Sequence, residues 1–380
     1  MSPKTKSYQS LRKLQTVCLK QSIPFASYRL PLHPDIITLV QHQSLPERID
    51  SLNGLGQKSG FVMAPFFETE RHHSLLLKPE SIFLSDNIDP AFINELSRNS
   101  GFQSAGMPSG EETTTTPPTD FIQQVNDAKR AISEKRFHKV VLSKVRKEEL
   151  SIGFEASTFF LQLCATYPHA FVYIIQLPEA GCWIGATPEP LLLLEAGKAK
   201  TVSLAGTQVA TSADISSYRW SEKEIEEQGI VTGYMEQTLQ ALQIDNYTLT
   251  GPSNYKAANL VHLKTGFEFS QADMGNRLGD FLKAFHPTPS VGGLPKEAAR
   301  DFILENEKHD RSYYTGYLGP VNIENKSNVF VNLRCLQLFQ KQFVLYSGAG
   351  ITASSIAEKE WEETDNKMMT MMNVMQNPNN

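Results

Sequence analysis

Tyr8, Leu11, Leu14 and Val17 recur at helical spacing near the start of the chain, and the extended run Phe25-Ala26-Ser27-Tyr28-Arg29-Leu30 follows at once. This predicts an amphipathic helix leading into a strand. Two shorter pieces, Phe61-Val62-Met63 and Ser81-Ile82-Phe83-Leu84, read as further strands. Past residue 118 the order becomes regular. Thr119 is placed to cap a helix in which Phe121, Val125, Ala128 and Ile132 share a face. The strand Lys139-Val140-Val141-Leu142-Ser143-Lys144 comes next, then a helix over 159–166. Strands are predicted at Phe171-Val172-Tyr173-Ile174-Ile175 and Cys182-Trp183-Ile184-Gly185-Ala186. A strand pair over 191–195 and 200–204 closes on Ala205-Gly206-Thr207. The pattern turns helical over 221–242, with Glu222, Glu224, Glu226 and Glu227 in the first turns, where acids complement the helix N-terminus.

The last fifty residues carry the most chemistry. Val331-Asn332-Leu333-Arg334-Cys335 reads as a strand bearing an arginine. The apolar run Phe343-Val344-Leu345-Tyr346 leads into Ser347-Gly348-Ala349-Gly350-Ile351-Thr352, which reads as a strand-to-helix turn. A helix from about Ser354-Ser355 would place Glu360, Glu363 and Lys367 on one face. An arginine fork, open backbone amides and a lysine suit a carboxylate, and paired glutamates suit a hard cation. The segment therefore predicts a site for a small anion beside Mg2+. Its GxGxxA match to a dinucleotide fingerprint is set aside, because about one helix follows and no strand with a ribose-binding acid.

Composition narrows the function classes. With 36 Lys and Arg against 41 Asp and Glu the net charge is −5 and no basic block occurs, which argues against nucleic acid as a partner. Cys18, Cys164, Cys182 and Cys335 lack CxxC spacing, so neither a zinc site nor a disulfide framework is expected, and a reducing cytoplasm fits. No apolar run reaches the roughly 18 residues of a membrane span. The first 20 residues are basic and acid-free, superficially like a transit peptide, but the helical pattern explains them more simply. The stretch 106–118, with Glu111-Glu112, four threonines and Pro117-Pro118, has little to bury and reads as a mobile linker. It separates an N-terminal part (1–105), expected to add strands to a shared fold, from a region 119–380 that holds the candidate chemistry. There is no internal repeat.

Three further residues stand out. Lys139 is polar at the start of an apolar strand; such lysines are mostly solvated strand ends, but a desolvated one can act as a base. Glu189, between Pro188 and Pro190, is either an exposed turn acid or a group held on a stiff loop. His262, in Leu260-Val261-His262-Leu263, could equally be a hydrogen-bonded core histidine.

Taken together, KVVLSK, GATPEP, SLAGT, SEKEIEEQ, HPTPSVGG, DRSYYTGYLG, VNLRC, YSGAGI and EWEETDNK resemble the chorismate-utilising enzymes, most of all the isochorismate synthases. The match runs in order from about Thr119 to Met375. It implies an α+β fold in which two large, mostly antiparallel sheets pack together with helices outside. It implies chorismate as substrate and Mg2+ as cofactor. Lys139 would be the general base and Glu189 the general acid, and Glu227 and Glu363 would hold the metal. Gly206, His262, Ser290, Arg334, Gly348, Gly350 and Lys367 would contact the substrate. The implied reaction isomerises chorismate to isochorismate by water attack at C2 and loss of the C4 hydroxyl, feeding menaquinone, siderophore or salicylate synthesis.

The same motifs separate the branches. Ammonia-adding members typically have glutamine at the position of Lys139, and aminodeoxychorismate synthases a lysine at that of Ala205. No amidotransferase subunit and no membrane partner is expected, and a monomer is the simplest state. Salicylate synthases share the lysine base but tend to have a threonine within the segment matching HPTPSVGG. That branch, and a non-catalytic chorismate-binding protein, are the competing readings. Lys144 stands where arginine is usual, Gln228 where a histidine often follows the metal-binding glutamate, and Ser312 where glycine is frequent.

Overall fold

Alternating apolar strands need a face to bury, and here they bury it against each other. The computed structural model describes residues 8–98, 102, 110, 113–212, 214–257 and 260–376. Among these, two nine-stranded sheets form. The first runs Gly293–Leu294, Lys139–Glu149, Gln342–Ile351, Cys335–Leu338, Gly181–Thr187, Phe171–Leu177, Phe25–Arg29, Ile37–Val40, Ser81–Leu84. The second runs Tyr247–Ala257, Leu260–Ser270, Lys198–Val209, Pro190–Glu195, Ser327–Val331, Tyr317–Val321, Gly60–Ala64, Leu75–Leu77, Glu47–Arg48. Neighbouring strands pair antiparallel throughout. Strands from the first ninety residues thus form the far end of both sheets. The expected architecture of two antiparallel sheets with helices outside is the one observed.

The sheets meet face to face over an apolar core that includes Tyr28, Phe61, Tyr173, Trp183 and Leu318. Phe171 and Phe330 stack across it, with centroids 4.2 Å apart. Helices Gln9–Gln21, Pro90–Arg98 and Ala156–Thr166, with the last turns of Ala357–Gln376, cover the outer face of the first sheet. Helices Glu222–Ala241 and Leu278–Phe285 cover that of the second. No described helix is long and apolar enough to cross a membrane, and all four cysteines are free.

Two strand pairs pass from sheet to sheet side by side. Gly181–Thr187 leaves the first sheet and continues as Pro190–Glu195 in the second, while Ser327–Val331 returns as Cys335–Leu338. Thr187 Oγ1 donates to the Val331 carbonyl at 2.6 Å, Val331 N to the Glu189 carbonyl at 2.9 Å, and Ala186 N to the Arg334 carbonyl at 3.0 Å. Buried Asn332 holds the corner, donating to the Tyr313 carbonyl and accepting from the Tyr173 hydroxyl.

Several local expectations change. Arg334 lies between two strands, at φ 49°, because the chain bends there to change sheets. Residues Gly348 to Ile351 extend a strand instead of turning, since residues 140–143 give them a pairing partner. The helix after them starts at Ala357. Ala205-Gly206-Thr207 interrupts a continuing strand as a bulge. Helix Pro118–Ser133 begins with proline at its first turn after Pro117, not with a Thr119 cap, proline's fixed φ suiting that position. Of the expected linker, residues 106–109, 111 and 112 lie outside the described residues. Thr115 and Thr116 dock on strand Lys139–Glu149, accepting from Lys147 N and Val145 N.

A buried ion pair supports that strand from its other side. Arg311 makes two bonds to Glu307, at 2.6 and 2.8 Å, and donates to the carbonyls of Val141 and Val291. Glu307 accepts from Ser143 N at 2.6 Å. Removing one member of such a pair strands a buried charge, so Glu307→Ala should lower unfolding free energy by about 3–5 kcal/mol in a denaturant titration.

Candidate active site

The end of the inter-sheet space beyond the aromatic core is polar. Lys139 opens its strand under Leu294, and Gly293 passes so close that a Cβ there would lie 2.3 Å from the Lys139 carbonyl. The lysine is 1% exposed, not a solvated strand end, and its Nζ lies 2.7 Å from Glu227 Oε1. Glu227 reaches it from the second turn of helix Glu222–Ala241, whose N-terminus is fixed by a capping box between Ser221 and Glu224. Gly350 makes room for the pair: a Cβ there would stand 2.6 Å from Glu227 Oε1 and 3.0 Å from Lys139 Cε.

Strand register decides where the glycine amides point. Ser143 N is committed to Glu307, and Val141 N to the Gly292 carbonyl. Their ladder partners are Gly348 and Gly350, so both are non-hydrogen-bonded pairs. The N–H and C=O groups of Gly348 and Gly350 therefore face the opposite edge. Lys367 Nζ occupies part of that edge, 2.8 Å from the Gly348 carbonyl and 2.7 Å from Glu363 Oε1. Open amides thus come from a strand edge and not from a turn.

The sheet-changing corners supply the acid and the fork. Glu189 is 3% exposed, so it is no surface turn acid. Burial pushes its carboxyl up to about 7, against the pull of Lys139, Lys367, Arg334 and a hydrogen bond from Ser290. Ser290 Oγ also lies 3.0 Å from the Leu204 carbonyl. Arg334 is held between Thr370 Oγ1 and His262 Nε2, each at 3.4 Å. His262 Nδ1 is 2.8 Å from the Gly206 carbonyl, in the bulge where Gly206 takes φ +64°. Burial and the arginine charge push this imidazole down to about 3.

Ten of the eleven residues expected from sequence line one cleft of about 420 Å3, and Lys139 lies behind it, reached through Glu227. Glu360, placed on the same helical face as Glu363 by sequence spacing, also lines the cleft while 3% exposed. Tyr314 and Thr315, from the loop after Arg311, line it too, and nothing in their spacing marks them. Among the described residues no group of three or more His, Cys, Asp or Glu forms a full metal cage. Glu227 and Glu363 both line the cleft and could hold Mg2+, which keeps several waters and takes one or two carboxylates plus ligand oxygens. At two of the departures from the family pattern, Lys144 pairs with Asp365, and the Gln228 amide nitrogen donates to Ser203 and Thr265. Ser312 has φ 50°, a backbone position that favours glycine.

His262 has one nitrogen on a carbonyl and the other facing an arginine, which fixes the Nδ1–H tautomer. Nitrogen-15 NMR of histidine-labelled protein should show this ring neutral, protonated at Nδ1, and without titration between pH 5 and 8.

Comparison with known proteins extends the resemblance towards the N-terminus. A model of the family described as "Chorismate binding enzyme" matches residues 84–376. Isochorismate synthase EntC of Escherichia coli (strain K12) is 29% identical over 262 residues, 67% of each chain. Isochorismate synthase MenF of the same organism is 26% identical over 342 residues, 87% of this chain and 78% of that one. The solved structure of MenF, the menaquinone-specific isochorismate synthase from Escherichia coli, shares the fold with a TM-score of 0.75 at 21% identity, over 96% of this chain and 91% of that one. With the matched span covering most of the chain, this protein is a member of the chorismate binding enzyme family.

Proposed function

We propose that the protein is an Mg2+-dependent isochorismate synthase, an isomerase acting on chorismate. The observation that carries this reading is one cleft equipped for carboxylates, with buried Glu189 in its lining and buried Lys139 behind it against Glu227. Displacing a hydroxyl by water across an allylic system needs a base at one carbon and an acid at the other.

Arg334, Lys367 and the amides of Gly348 and Gly350 hold the substrate carboxylates. His262, with Nε2 as acceptor, suits a hydroxyl and not a carboxylate. Lys139 in its neutral form takes a proton from the water that bonds to C2, once its ion pair with Glu227 is released. Glu189 gives a proton to the C4 hydroxyl, the double bonds shift, and water leaves, so the sum is an isomerisation. Glu227 and Glu363 would hold Mg2+, which when bound supplies positive charge to those carboxylates and to a substrate carboxylate. The burial of Lys139 and Glu189 excludes competing water from both proton transfers.

The deciding experiment incubates the protein with chorismate, with Mg2+ or with EDTA, and separates the products. Isochorismate in equilibrium with chorismate, dependent on Mg2+ and without pyruvate, is expected; salicylate with stoichiometric pyruvate would place it in the neighbouring branch. Glu189→Gln should lower kcat by roughly 10^2–10^4-fold while chorismate still binds. Because the acid works protonated, kcat/KM should fall as pH rises through about 7. Mg2+ at about 100 times its Kd should stabilise the protein by about 2.7 kcal/mol in thermal unfolding, and Glu227→Gln or Glu363→Gln should remove that gain.

A further inference from the structure

Strand Lys139–Glu149 carries the base, and helix Ala357–Gln376 carries Glu360, Glu363 and Lys367. One buried cation joins the two outside the cleft. Lys144 is 2% exposed, and its Nζ lies 2.7 Å from Asp365 Oδ1 and 3.3 Å from the Trp361 carbonyl. It also stands 3.0 Å from the centroid of the Trp361 ring. Phe121 packs edge-on to that ring at 5.7 Å, so helix Pro118–Ser133 closes the same pocket.

Side chains alternate across a strand, so Lys139 and Lys144, five residues apart, project to opposite faces. Trp361 and Asp365 lie four apart on one side of the helix, while Glu360, Glu363 and Lys367 line the cleft on another. An α-helix is stiff over such a distance. Any sliding or rotation permitted at Trp361 and Asp365 is therefore carried to Glu363 and Lys367. We propose that Lys144 is a positioning residue for the reaction inferred above: its ion pair and ring contact with the helix fix where Glu363 and Lys367 stand relative to Lys139. Misplacing reacting groups by about 1 Å costs on the order of 10^2-fold in rate, and second-layer contacts to metal ligands are worth roughly 10–100-fold in metal affinity.

Lys144→Met keeps the stem and removes the charge, Asp365→Asn removes the partner, and Lys144→Arg can still pair and stack. Three quantities are measured on folded protein: Mg2+ affinity by calorimetry, kcat and KM with chorismate, and amide exchange of residues 357–367. Lys144→Met and Asp365→Asn should weaken Mg2+ binding and lower kcat/KM by about 10–100-fold, with faster exchange in the helix. Lys144→Arg should restore all three towards the parent. A folded Lys144→Met with unchanged Mg2+ affinity, kcat/KM and exchange would reduce Lys144 to a stability contact. If that variant does not fold, Asp365→Asn, whose carboxylate is 45% exposed, decides in the same way. A parent protein inert towards chorismate would overturn the functional reading instead, and helix exchange would still decide the role of Lys144.

Discussion

The paired corner between the two sheets is the constraint on which the site depends. Two strands cross from one sheet to the other together, locked by the Thr187–Val331, Val331–Glu189 and Ala186–Arg334 hydrogen bonds. Each crossing leaves one residue projecting where the inner faces diverge: Glu189 on one strand, Arg334 on the other. Arg334 accepts a left-handed backbone there, at a cost on the order of 1–3 kcal/mol that only an over-determined surrounding can hold. Buried Asn332, bonded to Tyr313 and Tyr173 and flanked by the Phe171–Phe330 stack, is that surrounding.

Around this corner, opposite charges are distributed over independent elements. Lys139 comes from the strand it begins, its partner Glu227 from the helix beginning at Glu222, and Glu363 with Lys367 from the helix beginning at Ala357. The strand is tied down outside the cleft by Glu307 and Arg311 and the last helix by Lys144, while the first helix is fixed by its capping box at the cleft itself. Glycine matters where these elements meet. At Gly350 a methyl group would push into both Glu227 and Lys139, so the close approach of strand and helix requires its absence.

The strand and helix order was legible because periods of 2 and 3.6 are local properties of sequence. The family resemblance named eleven candidate residues, and ten of them line one cleft. What local pattern could not carry was the partner of each segment. Gly348-Ala349-Gly350 looks like a turn until strand Lys139–Glu149 is placed beside it, and only that register turns two of its amides outwards. Arg334 looks like a strand residue until the chain is required to change sheets. The bonds from Glu307 to Ser143 and from Arg311 to Val141 join segments far apart in sequence, and no local period encodes them.

The same geometry resolves a tension in acid–base chemistry beside cations. Positive charge near a carboxyl opposes protonation, and Glu189 feels Lys139, Lys367 and Arg334. Burial outweighs all three, leaving the carboxyl near 7 instead of in the ordinary carboxylate range. A substrate that brings two carboxylates onto Arg334 and Lys367 cancels two of those three charges while further drying the cleft. Both changes strengthen the hold on the proton, so the acid is better protonated with the cleft full than empty. On the proposed mechanism, desolvation would set the proton in place and substrate binding would secure it for transfer.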